Sequence, residues 1–481
     1  MKRNILILFA FLVCTAVQGQ TSVCLTDLRS EHLDSPIGVD NPTPRLSWRM
    51  EDSRKGAVQT SWQIVVDEDS LNVVNGCGRM WNSGRNTSRN QLVTYAGKEL
   101  RPFTKYYWKA ICGDMEHKEI ASPISCFEMG MMGMQHWQGA WIGDGKDIHH
   151  EPALYFRKKF EAGKEIKSAR AYIAAAGLYE LYINGEKIGN HRLDPLYTRF
   201  DRRNLYVVYD VTSQLRNGDN AIGVLLGNGW YNHQSKAVWD FDRAPWRNRP
   251  AFCLDLRITY ADGSVETIPT DLSWRTSSGA ITFNSIYTGE HYDARLEQKG
   301  WSTPEFDDSK WYGVGYRSVP SPNVTAQQAR PIRDVETFPA VSFRKVDGKT
   351  YVYDFGQNMA GVTRIRLSGE RGTEVRIKHG ERLHPDGRLD LSNIDVYFRG
   401  DKEKDPFQTD ILILSGEEDE FMPRFNYKGF RYVEVVADKP IELEQPDCLL
   451  HAQRCACCGK FGSFDSTDRQ AASCRQSLLS L

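Results

Sequence analysis

The chain has 481 residues, of which 11% are aromatic, and a formal net charge of -1 from 61 basic and 62 acidic residues. This near-neutral balance gives no electrostatic attraction to nucleic acid or anionic lipid, so neither is expected as a partner. The length predicts about three domains. The abundance of Trp and Tyr suits β-sandwich cores and sugar binding equally well.

The first twenty residues, MKRNILILFAFLVCTAVQGQ, have the pattern of a secretory signal peptide. A basic pair precedes the apolar run Ile5–Val17, and small residues lead to a predicted cleavage site near Gly19. The run is too short for a membrane span, and no later segment has the pattern of one. We therefore expect residues 1–19 to be removed and the protein to be exported to the periplasm or the outer cell surface. A lipid anchor at Cys14 is the alternative, disfavoured because a bulky residue precedes that cysteine.

Residues 21–132 predict a small β-sandwich of the fibronectin type III kind. Runs such as QTSWQIVVD and TKYYWKAICG are rich in β-branched and aromatic residues, and turn signals such as WNSG separate them. Short strands and turns at this spacing are typical of a sandwich. The Met- and Gly-rich stretch that follows, MGMMGMQHWQG, is interpreted as a linker.

The stretch GLYELYINGEKIG, residues 177–189, predicts a β-hairpin inside a second unit that covers residues 137–320. Apolar and polar residues alternate on both sides of Asn184-Gly185, a pair that supplies the positive φ values of a type I′ turn. Leu178, Tyr182 and Ile188 are the residues expected to make contacts on the pleated faces.

A third unit, residues 329–448, is also predicted to be a β-sandwich, because KTYVYDFGQNMAGVTRIRLSG and KGFRYVEVVA alternate with a period of two. Helical periodicity is absent until the last residues, where STDRQAASCRQSLLSL predicts the start of a helix within residues 449–481. The predicted fold is therefore all-β, with tandem β-sandwich and jelly-roll domains and a short helical start at the C-terminus.

The loop LLGNGWYN, which precedes His233, is the stretch most typical of a ligand contact. Its glycines allow close approach of the backbone, Asn228 offers hydrogen bonds, and Trp230 and Tyr231 offer faces for stacking. The alternative is an aromatic loop that only closes one end of a sandwich.

Two polar stretches are weaker candidates. TGEHYDAR places Glu290 and Asp293 close in sequence, either as a polar binding surface or as an ion-paired structural corner. IKHGERLHPDG contains His379, Glu381 and His384, which suit a metal or acid–base set but also the polar edge of a strand.

These stretches together resemble the N-terminal part of the bacterial α-L-rhamnosidases. PIGVDNPTPRLSW, WNSG and YYWKA resemble the family's fibronectin-type domain, and GLYELYINGEKIG, YDVTSQLRNGDNAIGVLLGNGWY and GEHYDARLEQKGW resemble its jelly-roll domain. The most specific match is DFGQNMAG, HGERL and PRFNYKGFRYVEV, which resemble the concanavalin-like β-sandwich that precedes the family's catalytic barrel. The resemblance extends from about residue 24 to about residue 465.

The resemblance implies an enzyme that releases terminal α-linked L-rhamnose with inversion, by means of a general acid and a general base. In the family these carboxylates lie in an (α/α) barrel, whose Asp- and Arg-rich active-site stretch has no counterpart in this sequence. No catalytic residue is therefore assigned, and residues 449–481 match only the beginning of that barrel. We expect a truncated member of the family that is inactive alone.

A second hypothesis is a stand-alone carbohydrate-binding protein whose partner is a rhamnose-containing glycan. Some jelly-roll domains of the family bind rhamnose together with calcium, which makes Asn228, Glu290 and Asp293 candidate oxygen ligands. No cofactor is required by either hypothesis, and calcium is the one candidate. A third hypothesis, a purely structural stack of β-domains, predicts no affinity for sugar.

Overall fold

The computed structural model of the protein describes residues 23–443 and 450–456, with the backbone alone for Glu442 and for 450–456. The predicted signal peptide and the helix predicted near the C-terminus lie outside the described residues. Two compact units are present. The smaller unit contains the residues up to Pro36 and Asn41–Met129. The larger unit contains Ile37–Asp40 and the residues from Gly130 onwards.

Two antiparallel sheets form the smaller unit, one in the order β1-β3-β6 and one in the order β9-β7-β4-β5 with β8 beside β7. Its aromatic core includes Trp48, Trp108 and Phe127, and Trp108 comes from TKYYWKAICG, a run predicted as a strand. The strands up to Met129 are β1 (Cys24–Ser30), β2 (Ile37–Val39, in the larger unit), β3 (Arg45–Glu51), β4 (Ser61–Asp67), β5 (Trp81–Asn82), β6 (Leu92–Thr94), β7 (Lys105–Gly113), β8 (Glu119–Ala121) and β9 (Ser125–Met129). One short helix, α1 (Ser70–Val74), is capped by Asp69.

The larger unit begins with a sandwich of two sheets, in the orders β24-β10-β18-β12-β16-β25, with β19 beside β18, and β14-β13-β17-β11-β20-β23. Side chains from both sheets, among them Phe156, Ile173, Val224 and Leu254, share one buried core. The strands of this part of the chain, of which β15, β21 and β22 belong to the third sheet described below, are β10 (Ile142–Gly143), β11 (Leu154–Ala162), β12 (Ile166–Ala176), β13 (Leu178–Ile183), β14 (Glu186–Lys187), β15 (His191–Arg192), β16 (Asn204–Asp210), β17 (Gly218–Gly227), β18 (Ala251–Tyr260), β19 (Val265–Pro269), β20 (Arg275–Ser278), β21 (Ile281–Asn284), β22 (Glu290–Asp293), β23 (Tyr312–Gly313), β24 (Gly315–Tyr316) and β25 (Val324–Ala326).

The predicted hairpin is confirmed. β13 pairs with β14, and the turn between them has φ values of +49° at Asn184 and +90° at Gly185, as a type I′ turn requires. The Asn184 side chain fixes the turn further, because its Nδ2 donates to Asn220 Oδ1 at 2.8 Å and its Oδ1 accepts from the Ala221 N–H at 2.9 Å.

A third, larger sheet has the order β15-β26-β36-β28-β34-β29-β32-β22-β21, with β27, β33 and β35 beside β28. Its strands are β26 (Ile332–Pro339), β27 (Ser342–Lys345), β28 (Thr350–Gly369), β29 (Glu374–Gly380), β30 (Arg382–Leu383), β31 (Leu389–Asp390), β32 (Thr409–Ile413), β33 (Glu418–Phe421), β34 (Lys428–Ala437), β35 (Ile441–Glu442) and β36 (Leu450–Ala456). β30 and β31 form a separate hairpin. Because β22 pairs in parallel with β32, residues before 320 complete a sheet built mainly from residues after 329.

The motif DFGQNMAG lies on an irregularity of β28. The pairing with β34 shifts between Asp354 and Met359, and Gly356 within this interval has a φ of +76°. Asp354 accepts the Gly356 N–H at 2.7 Å and two hydrogen bonds from Arg431 at 2.8 and 2.9 Å. The positive φ explains why a glycine stands two residues after the aspartate.

The described residues confirm the all-β prediction. Besides α1, the helices in them are single 3₁₀ turns at Met134–His136, Phe241–Arg243, Ala294–Leu296 and Asp395–Tyr397. None of these helices is long and apolar enough to cross a membrane.

Candidate functional site

Buried asparagines hold the loop that follows β17. The Asn228 N–H donates to Asn284 Oδ1 at 2.6 Å, and its Nδ2 donates to the Glu151 carbonyl at 2.8 Å. Asn232 donates from Nδ2 to Asn228 Oδ1 at 3.1 Å. Gly229 has a φ of +53° and is too tightly packed for a Cβ. Asn228, a predicted site residue, therefore fixes the conformation of this loop through its hydrogen bonds.

Trp230 lies at the centre of a first group of rings. Its ring stacks on His233 with centroids 5.2 Å apart and an interplanar angle of 24°. Phe241 lies 5.0 Å from Trp230, and Tyr197, which is 49% exposed, lies 6.2 Å from it. The predicted stacking residue thus belongs to a surface made by several loops.

A second group of rings continues this surface. The Trp239 centroid lies 5.3 Å from that of Tyr287 and 5.7 Å from that of Tyr397. Trp239 is 50% exposed and Tyr397 54%. His233 links the two groups, since its ring also lies 6.2 Å from Tyr287. We call the combined surface the aromatic face; it consists of Tyr197, Trp230, Trp239, Phe241, Tyr287 and Tyr397.

Main-chain hydrogen bonds set the relative position of the two loops that carry Trp239 and Tyr397. The Val238 N–H donates to the Tyr397 carbonyl at 3.0 Å, and the Arg399 N–H donates to the Lys236 carbonyl at 2.9 Å. The exposed rings therefore sit on paired backbone, which is the rigid support that a binding surface needs.

Polar atoms without partners lie beneath the aromatic face. His233 is 1% exposed, and neither of its ring nitrogens has a hydrogen-bond partner among the described residues. Burial, together with the charge of Arg247, lowers the pKa of His233 to about 4, so the ring is neutral at pH 7. Asp405 Oδ1 is also without a partner there, while Oδ2 accepts from Ser235 Oγ at 2.5 Å. Buried atoms of this kind call for water or a ligand hydroxyl group.

Tyr231, the other predicted stacking residue, points into the protein. It is buried and packs against Phe200 with ring centroids 5.1 Å apart. Burial raises its pKa to about 12. Tyr231 supports the loop from below while Trp230 contributes to the aromatic face.

Glu290, on β22 of the last sheet, is fully buried. Its carboxylate accepts the N–H groups of Arg424 and Phe425 at 3.1 and 3.2 Å. Burial, and next the nearby charge of Asp410, raise the pKa of Glu290 to about 7. Asp410 is held by the buried Lys428, whose Nζ lies 2.7 Å from both carboxylate oxygens.

Asp293 caps the short turn that follows β22. Its Oδ1 accepts the Arg295 N–H at 3.1 Å, and its Oδ2 forms an ion pair with the Arg295 guanidinium at 2.7 Å. This pairing lowers the pKa of Asp293. The predicted ion-paired corner is therefore present at this residue.

The three predicted oxygen ligands do not fit a calcium site in this arrangement. Asn228 Oδ1 accepts from Asn232, Glu290 faces main-chain N–H groups, and Asp293 is engaged by Arg295. Within residues 23–443, no group of three or more His, Cys, Asp or Glu side chains is placed to hold a metal ion.

The residues of IKHGERLHPDG are separated by the structure. His379 is buried, with Nε2 2.9 Å from Thr363 Oγ1, whereas Glu381 accepts from Asn358 at 2.9 Å. His384 lies at the surface, 3.9 Å from Asp390. This stretch contains the end of β29 and part of the hairpin formed by β30 and β31.

Three family models match the chain in succession. They are the Rha78A-like N-terminal immunoglobulin domain over residues 25–133, the alpha-L-rhamnosidase N-terminal domain over 164–336, and the bacterial alpha-L-rhamnosidase concanavalin-like domain over 344–448. Together they cover most of the chain. The chain therefore belongs to the bacterial alpha-L-rhamnosidase family and contains the N-terminal β-domains found in its members.

Relatives and solved structures agree with this assignment. An alpha-L-rhamnosidase of Formosa agariphila is 32% identical over 91% of this chain and 48% of its own length. The structure of an alpha-L-rhamnosidase from Dictyoglumus thermophilum has a TM-score of 0.80 and 36% identity, covering 90% of this chain and 48% of that one. The fold is also shared with the Streptomyces avermitilis alpha-L-rhamnosidase complexed with L-rhamnose, with a TM-score of 0.84 and 23% identity over 95% of this chain and 60% of that one. The chain spans about half the length of the relatives it matches.

Sequence reasoning did not identify most of the aromatic face. Trp239, Phe241 and Tyr397 lie in SKAVWDFDRAPW and SNIDVYFRG, where large aromatic residues alternate with charged ones outside any long strand pattern. This combination is the sequence feature that could have predicted exposed rings. An aromatic residue outside an apolar pattern is not expected to pack into a core.

Proposed function

We propose that these β-domains are the carbohydrate-recognising part of an α-L-rhamnosidase and that the aromatic face binds the terminal L-rhamnosyl unit of a glycan. The observation that carries the proposal is the cluster of half-exposed rings around Trp239 and Tyr397. L-rhamnose is a 6-deoxy sugar, whose C–H groups and methyl group pack on aromatic rings. The neutral His233 below the rings supplies one donor and one acceptor for hydroxyl groups.

Titration calorimetry of the purified chain with L-rhamnose tests this proposal. We expect saturable binding that Trp239→Ala weakens roughly tenfold, because one of the stacking rings is lost. Tyr312→Ala is the matched control, since Tyr312 is a 72% exposed tyrosine on β23, outside the aromatic face. Absence of binding, or equal weakening by both variants, would contradict the proposal.

A calcium requirement is tested in the same titration. Since Asn228, Glu290 and Asp293 are already engaged by neighbouring groups, we expect the affinity for L-rhamnose to be unchanged by EDTA. Loss of binding in EDTA that calcium restores would assign the ion a part in recognition.

We also propose that the chain does not cleave rhamnosides by itself. The three matched models describe an immunoglobulin domain, an N-terminal domain and a concanavalin-like domain, and hydrolysis with inversion needs two carboxyl groups at a fixed separation. We expect no release of rhamnose from an aryl α-L-rhamnoside. Turnover that disappears when a carboxylate of this chain is replaced would overturn this expectation.

Export remains part of the proposal on the basis of the N-terminal sequence. A basic pair, an apolar run and small residues up to Gly19 support a signal peptide. Mass spectrometry of the N-terminus after expression in a bacterium with a periplasm should show cleavage near Gly19. Recovery of uncleaved protein from the cytoplasm would contradict it.

A further inference from the structure

A cleft of about 290 Å³ lies in the larger unit beside the segment that precedes β10. Trp137, Trp141, Tyr316 and Arg317 are among the residues that line it, and none of them belongs to the aromatic face. Ligand pockets commonly measure roughly 300–1,000 Å³, so this cleft has room for one small ring and not for a chain of them.

Aromatic side chains form the walls of the cleft. Trp137 packs edge-on against Tyr206, with ring centroids 5.5 Å apart, and Trp141 is buried. Tyr316 stands at the rim and is 61% exposed. Flat apolar walls on a fixed support suit the C–H face of a pyranose ring.

Two of the side chains that line the cleft, Trp137 and Arg317, have hydrogen-bond donors without a partner among the described residues. Trp137 Nε1 is buried and has no hydrogen-bond partner among the described residues, and an indole N–H can only donate. The side-chain hydrogen bonds that the structure shows for Arg317 all come from Nη2, to the main chain of Asp144 and Lys146 and to an Asp144 carboxylate oxygen. Its Nε and Nη1 groups therefore have donor capacity left.

Two carboxylates lie near the cleft, and one of them, Asp255, accepts the main-chain N–H groups of Gln138 and Gly139 at 2.8 and 2.7 Å. Asp144 is the carboxylate nearest to the Arg317 guanidinium, but it already receives Arg249 Nε and Nη2, each at 2.9 Å. Arg317 is left with a 3.5 Å contact to the same carboxylate. One carboxylate thus serves two guanidinium groups, and no Asp or Glu is among the residues that line the cleft.

We propose that this cleft binds a monosaccharide-sized ring that carries a carboxylate, that is, a hexuronate. The aromatic walls pack on the ring, Arg317 pairs with the carboxylate, and Trp137 Nε1 donates to a ring substituent. This inference does not rest on rhamnose binding at the aromatic face, since the two sites share no residue.

Titration of the purified chain with D-glucuronate and with D-glucose tests the proposal, because the two sugars differ only at C6. We expect glucuronate to bind at least tenfold more tightly than glucose, since a charge-assisted pair is made only by the acid. Arg317→Ala should abolish that preference, and Trp137→Phe, which keeps an aromatic ring and removes the N–H, should weaken glucuronate binding several-fold.

Arg330→Ala serves as the control, since Arg330 is an exposed arginine that does not line the cleft. It should leave the binding of glucuronate unchanged. Equal binding of glucose and glucuronate, loss of affinity in Arg330→Ala as large as in Arg317→Ala, or binding of benzoate in place of glucuronate would each overturn the assignment to a hexuronate.

Discussion

Replacing Glu290 by Gln should remove much of the pH dependence of the larger unit's stability. Glu290 is fully buried and its pKa is raised from 4.5 to about 7. The folded state therefore holds a proton at this carboxyl group more tightly than the unfolded state does. Stability falls as the pH rises from about 4.5 to about 7, and it stays low above that range.

The size of the effect follows from the pKa difference. Each pKa unit corresponds to about 1.4 kcal/mol, so ionisation of Glu290 costs the fold up to about 3–4 kcal/mol above pH 7. Glutamine retains an oxygen that accepts the Arg424 and Phe425 N–H groups, and it carries no charge beside Asp410. Glu290→Gln should therefore be more stable than the parent at pH 8.5 and close to it at pH 5.

Urea unfolding of the parent and the variant at pH 5, 7 and 8.5, followed by tryptophan fluorescence, measures the difference. Glu417→Gln, an exposed position in the turn before β33, is the matched control and should follow the parent at each pH. The reasoning would be refuted if the difference between the urea midpoints of Glu290→Gln and the parent were the same at all three pH values.

Three further changes give measurable outcomes by the same unfolding assay. Asp405→Asn should stabilise the fold above pH 6 and leave it nearly unchanged at pH 4, because burial raises the pKa of Asp405 to about 6; an equal effect at both pH values would contradict this. Lys428→Met should cost about 3–5 kcal/mol by leaving the buried Asp410 carboxylate without its cation, and a neutral result would refute that role. Asn184→Ala should cost about 1–3 kcal/mol, since alanine disfavours a φ of +49° and removes the hydrogen bonds of the turn. Asn90→Ala, at an exposed loop position, is the control for it and should be nearly neutral; equal losses in the two variants would contradict the role of the turn.

Local pattern was enough to predict the β-fold. The alternation around Asn184-Gly185 and the turn chemistry of that pair predict the hairpin from neighbouring residues alone, and hydrogen bonds to Asn220 and Ala221 fix the turn further. Alternation in KGFRYVEVVA likewise predicted β34, because one face of that strand packs on the core. These features depend on neighbours along the chain, which the sequence shows directly.

The candidate site was harder to predict because it depends on contacts between distant segments. The sequence offers Glu290 for a polar surface or an ion-paired corner, but the chain that leads into β34 brings the Arg424 main chain against it, and the carboxyl group is buried. Tyr397 joins Trp239 only through the pairing of two loops that lie far apart in sequence. Neither relation leaves a local signal in the sequence. Trp230 differs, because its glycine-rich loop already marks it as a candidate, and the structure places its ring beside His233 and Phe241.

The most direct test of the proposed function is a crystal structure of the chain soaked with L-rhamnose. We predict density for the sugar on the aromatic face, with its C–H face against Trp239 or Tyr397 and a hydroxyl group directed towards His233. Density for the sugar at another surface, or an empty aromatic face at a sugar concentration that saturates binding in solution, would contradict the proposal.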